Sequence, residues 1–88
     1  MSDADLASAN LAGVNLAGVN MSGTNLIGIN LSDAVLSGFD LSKADLSEAN
    51  LSDAILTGAN LRSADLSDAE LTGVTGADFR GALNVPTE

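Results

Sequence analysis

The side chains in this sequence that could do acid–base or metal chemistry are its carboxylates. The 88 residues hold 12 Asp and Glu against 3 Lys and Arg, with no His, Cys, Trp or Tyr, for a net charge of −9. That inventory excludes a thiolate nucleophile, a Ser–His pair, a zinc finger and a disulfide framework. Carboxylates recur at a spacing of twenty, Asp33 with Asp53, Asp45 with Asp65 and Glu48 with Asp68 among them. Paired carboxylates catalyse when a pocket drives their pKa values apart, and hold Ca²⁺ when a loop supplies further oxygens. The sequence contains no EF-hand spacing. It therefore points to no catalytic, cofactor-binding or metal residue and to no cofactor. The acidic balance also argues against nucleic acid or an anionic membrane as a direct partner, since both would repel the chain.

Whether those pairs meet depends on what sets the interval of twenty. Leu stands at 6, 11, 16, 26, 31, 36, 41, 46, 51, 56, 61, 66 and 71, and Met21 fills the gap. These are fourteen successive positions five residues apart. Two residues before each centre comes a small or β-branched residue, with Phe39 the bulky exception; one before comes mostly Asp or Asn. A period of five would scatter Leu around an α-helix and alternate it between the faces of a strand. The pattern requires a chain that turns a corner once per unit, with Leu and the small residue inward and Gly, Asn or Asp at the bend. At a lag of twenty Val35 aligns with Ile55 and Thr75, and Gly18 with Gly38 and Gly58; at fifteen the coincidences vanish. Four sides per coil is the consequence.

The run from Ala4-Asp5-Leu6-Ala7-Ser8 to Ala69-Glu70-Leu71-Thr72-Gly73 resembles the pentapeptide-repeat family, whose unit is A(D/N)LXX. The resemblance covers about four-fifths of the chain. It implies an all-β fold, a right-handed quadrilateral β-helix of about four coils of four pentapeptides. In that family's pattern the other three positions of each unit face solvent. Some members inhibit DNA gyrase as DNA mimics and so protect against fluoroquinolones.

The expected organisation is a single domain over 1–88, with regular repeats over 4–73 and a register break with a C-terminal cap or tail over 74–88. The core is expected at Leu6, Leu11, Leu16, Met21, Leu26, Leu31, Leu36, Leu41, Leu46, Leu51, Leu56, Leu61, Leu66 and Leu71, with Phe79 plugging the end. After Leu71 the next unit reads Ala77-Asp78-Phe79-Arg80-Gly81, eight residues on. Bulky Val14, Val19, Thr24, Ile29 and Phe39 should widen the coil locally. The N-terminus carries two acids and no basic residue, which argues against a targeting signal and for a cytoplasmic protein.

Unrolled at twenty residues per turn, the four sides are unequal. An acidic flank gathers Asp33, Asp45, Glu48, Asp53, Asp65 and Asp68, the candidate acidic interaction side. The third side is uncharged and carries Val35 and Ile55, the candidate apolar contact side. The fourth mixes Asp40 with Lys43 and Arg62. A non-enzymatic scaffold that binds an unidentified protein partner through these sides, and self-associates, is the reading that follows. The alternative is a DNA-mimic inhibitor or protector of a type II topoisomerase, DNA gyrase. Residues 33–88 hold ten acids and three bases, roughly one net charge per 2 Å of coil axis against one per 1.7 Å of duplex. Self-association has two routes, side by side through the apolar side or by stacking of coil ends.

Overall fold

The computed structural model describes residues 5–86. Each five-residue unit makes one tight turn. The carbonyl of the central residue accepts the N–H three residues on, as Leu46 does from Ala49 at 3.0 Å. In all fourteen units from Leu6 to Leu71 the residue two after the centre has positive φ, from 58° at Asp68 to 76° at Gly73, and the residue before it does not. That combination is a type II turn, which places its second central residue in the left-handed region. Glycine is the cheapest occupant, yet Glu48, Lys43 and Asp53 adopt the same backbone.

Four turns bring the chain back over itself. Parallel bridges join residues twenty apart without interruption from Asp5↔Asn25 to Ile55↔Thr75. Among the described residues these rungs are isolated bridges, with no continuous strand and no helix. Among the described residues no helix is long and apolar enough to cross a membrane. The solenoid is thus a stack of corners: each side contributes one rung and then bends.

The inward columns form the core. Every central residue from Met21 to Leu66 is buried, as are Thr24, Ile29, Phe39 and the alanines two before the later centres. Leu6, Leu11, Leu16, Leu71 and Phe79 lie in the end coils and are half-buried, packed against that cluster. No buried side-chain polar atom lacks a partner among the described residues. The bulky inward residues do not break the ladder. The carbonyls of Val19, Thr24, Ile29 and Phe39 still accept from the next coil at 2.8 to 3.1 Å.

Regular spacing runs to Thr75. Beyond it the lag shortens to eighteen, Asp65 pairing with Leu83. Gly76 (φ 72°) makes the break: a Cβ there would collide with the Thr57 side chain, so the chain can press against the coil below only without one. The turn then resumes at Phe79, whose carbonyl accepts the Ala82 N–H at 3.0 Å, with Gly81 at φ 78°.

Candidate functional site

The acidic flank is made of two kinds of carboxylate, and the backbone decides which. In most units the Asp or Asn before the centre turns its Oδ1 back to accept the N–H two residues on. Asp45 accepts from Ser47 N–H at 3.1 Å and from its hydroxyl at 2.6 Å; Asp65 accepts from Ser67 N–H at 3.0 Å and its hydroxyl at 2.6 Å. Asn50 does the same for Ser52, at 3.0 and 2.7 Å. The family pattern implies that this position simply faces solvent. Here it closes the hydrogen-bond account of the unit: the other four N–H groups are bonded to backbone carbonyls, and this one has a side-chain acceptor. The Ser67 hydroxyl, the Asn84 amide and the Ser67 N–H hold the Asp65 carboxyl below its ordinary value. The Ser42 hydroxyl and N–H do the same to Asp40. The signal was present in the sequence as a short polar residue two before Ser, the composition of an Asx turn.

Asp33, Glu48, Asp53 and Asp68 are the other kind. They occupy the positive-φ corner, are exposed, and their carboxylates accept no hydrogen bond among the described residues. Glu48 lies one coil below Asp68 on the first side, and Asp33 one coil below Asp53 on the second. At about 4.8 Å of rise, two like charges repel by about 1 kcal/mol in water. No counter-ion offsets this: the one ion pair among the described residues is Arg80–Asp78. Asp45 and Asp65 are adjacent rungs of one column. The flank is convex, and no three carboxylates among the described residues converge to hold a metal.

On the third side Asn15, Val35, Ile55 and Thr75 are successive rungs. Val35 is half-buried and Ile55 is 38 % exposed. Val and Ile have no acceptor, so Ser37 and Thr57 N–H lack the bond that Asn15 provides to Ala17 at 3.1 Å. The side thus carries two N–H donors, of Ser37 and Thr57, without a partner among the described residues, a feature that the residue types alone do not suggest. Its Gly18, Gly38 and Gly58 edge is open: a Cβ on Gly38 would meet nothing nearer than 4.0 Å.

The fourth side collects all three cations of the chain, Lys43, Arg62 and Arg80. Asp78 binds the Arg80 guanidinium through Nη2 at 2.8 Å and Nε at 3.1 Å, and these bonds lower its carboxyl to about 2. Where the chain takes its short path after Thr75, a shallow depression of about 220 Å³ opens beside Arg62, Asp78 and Arg80.

The family model for pentapeptide repeats, in eight copies, matches residues 1–38 and 40–83. No curated protein matches the chain. A pentapeptide repeat protein of known crystal structure from Nostoc Pcc 7120 is 49 % identical, with a TM-score of 0.80, over 82 % of this chain and 60 % of its own. A second, from the cyanobacterium Cyanothece 51142, is 30 % identical with a TM-score of 0.75, over 94 % and 62 %. The chain thus spans about three-fifths of the length of each. QnrB1, a plasmid-mediated fluoroquinolone resistance protein, is 21 % identical at a TM-score of 0.39 over 92 % and 45 %, too distant to carry a functional argument.

Proposed function

Since the chain belongs to the pentapeptide-repeat family, we propose that it is a cytoplasmic, non-enzymatic scaffold, coiled in the family's right-handed quadrilateral sense, that binds a protein partner through its acidic flank. The observation that carries this reading is the set of four exposed carboxylates, Asp33, Glu48, Asp53 and Asp68, that accept no hydrogen bond among the described residues. Asp45 and Asp65 are engaged in turns, so they lend charge to the surface while serving the backbone. The free four are stacked against their own repulsion and are available to a cationic surface, where complementary charge speeds encounter and sets specificity. The apolar column of Val35 and Ile55 supplies a second contact strip, used by a partner or by another copy.

The test separates charge from fold. Asp33→Asn, Glu48→Gln, Asp53→Asn and Asp68→Asn together remove four charges without touching an Asx bond, so stability should hold while partner capture from cell extract falls at least tenfold. Unchanged capture by the folded variant rejects the acidic side. The same spacing of free carboxylates supports the second reading, a DNA-mimic inhibitor or protector of DNA gyrase. Loss of gyrase supercoiling in the presence of the protein, restored by the quadruple variant, is its expected signature. No inhibition at micromolar protein rejects it.

A further inference from the structure

The inter-coil ladder skips two donors inside the stack. From Leu6 to Leu56 the N–H of every central residue donates to the carbonyl nineteen residues on at 2.8 Å. From Ser8 to Asp53 the N–H of every corner residue does likewise at 2.7 to 2.9 Å. The next two in the series, of Gly58 and Leu61, have no acceptor among the described residues. Rungs stand on both sides of them: Leu56 donates to Thr75 at 2.8 Å and Ser63 to Gly81 at 2.7 Å. The cause is the short path after Thr75. Seven steps of chain from Leu56 to Ser63 are spanned by six from Thr75 to Gly81, so the carbonyls fall out of register between the two rungs. The Ala59 carbonyl is likewise without a donor among the described residues. The Arg80 N–H, twenty-one residues on, turns to Asp78 Oδ1 instead at 3.1 Å.

Leu61 is only 1 % exposed, and a buried N–H is rarely left without an acceptor. Gly58, Ala59 and Leu61 line the depression beside Arg62, Asp78 and Arg80. Two main-chain donors and one acceptor therefore meet two guanidinium groups. Asp78 engages Arg80 through Nη2 and Nε. The Arg62 side chain makes no hydrogen bond or ion pair among the described residues. We propose that this depression binds hydrogen phosphate, as the free ion or as the end group of a phosphate ester. Its unprotonated oxygens accept from the Gly58 and Leu61 N–H groups and from Arg62, bonds that charge strengthens. Its O–H donates to the Ala59 carbonyl. Sulfate and acetate carry no O–H near neutral pH and leave that carbonyl unbonded, which a site built to pair it penalises. Asp78 also lines the depression, but its charge is met by Arg80. The site lies on the fourth side and uses none of the four free carboxylates, so it stands or falls apart from the function proposed above.

The test is an amide-resolved NMR titration of the full chain at constant ionic strength near pH 6, where a phosphate monoester still carries an O–H in part. Inorganic phosphate, methyl phosphate, sulfate and acetate are compared. The Gly58 and Leu61 amide protons should move downfield together and saturate at millimolar phosphate, while Ser63, already bonded to Gly81, moves little. Arg62→Gln should weaken binding about fivefold or more, its phosphate-free spectrum confirming the fold. Lys43→Gln removes the same charge one coil away and should change affinity less than about twofold. Sulfate and acetate should each bind about fivefold more weakly than phosphate, or worse. Tighter methyl phosphate would assign the site to an ester and tighter inorganic phosphate to the free ion; either supports the proposal. Shifts that do not saturate would overturn it. So would sulfate binding as tightly as phosphate, or equal losses in the Arg62 and Lys43 variants, which would reduce the effect to net charge.

Discussion

The first coil, over residues 5–24, and the third, over 45–64, share one backbone and almost no side-chain strategy. In the first, the positive-φ corners are Ser8, Gly13, Gly18 and Gly23, the inward residues two before Leu16 and Met21 are Val14 and Val19, and Asp5 is the single charge. In the third, the corners are Glu48, Asp53, Gly58 and Ser63, the inward partners are alanines, and charge is dense. Yet rungs in both are 2.7 to 3.1 Å. The difference teaches that hydrogen-bond closure fixes this backbone. Side chains outside that account are left open, and function can be written there.

The largest test of this contrast is in the core. Leu46→Ala removes a fully buried side chain and should cost about 2–5 kcal/mol. Leu11→Ala, in the half-buried first coil, should cost about half as much, because part of its surface already meets water. Equal losses in thermal unfolding would show that the first coil is covered in solution, and the contrast between the coils would fail.

The corners give a smaller effect of opposite sign in the two regions. Glu48→Gly relieves a Cβ held at φ 61° and should stabilise by up to about 1 kcal/mol, partly offset by glycine's greater unfolded entropy. Gly23→Ala places a Cβ at φ 68° and should destabilise by about 1 kcal/mol. If both changes shift the denaturation midpoint in the same direction, the shared turn geometry is wrong.

The smallest effect is in acid. Asp40, Asp65 and Asp78 have carboxyls held below the ordinary 3.8, Asp78 at about 2. A depressed folded value means that their stabilisation is complete above the unfolded value and is lost as pH falls from about 4 through the folded one. Asp65→Asn keeps the Oδ1 acceptor and removes the proton site, so its unfolding curve should be flatter over that range. An unchanged acid limb would assign it to the uncharged turns instead.

The regular spacing itself was legible in the residues. Val35, Ile55 and Thr75 aligned at twenty, and the structure makes them rungs of one column. A period of five that fits neither regular element leaves little but a cornered coil. The role of Asp45 and Asn50 was not legible from periodicity, which says where a residue recurs and not what its side chain bonds; its cue was the local one of a short polar residue two before Ser. Seven corners wear a glycine; the other seven, Glu48 and Lys43 among them, conceal the same φ behind ordinary side chains. The break after Thr75 was visible as a lost interval. Its cause, the close approach of Gly76 to Thr57, depends on a coil written nineteen residues earlier.

The constant interval between rungs also governs how such a chain can form. Every regular rung closes a loop of nineteen to twenty-one residues, as from Leu6 to Asn25 or from Ala9 to Asn30. No rung can exist until a whole turn of chain has been ordered, so initiation bears the entropy of a full coil before any inter-coil bond forms. Each further five residues then adds three such bonds at no greater loop length. Folding is a zipper with one costly first stitch and many equal ones, and unfolding proceeds by fraying from whichever end is less well buried.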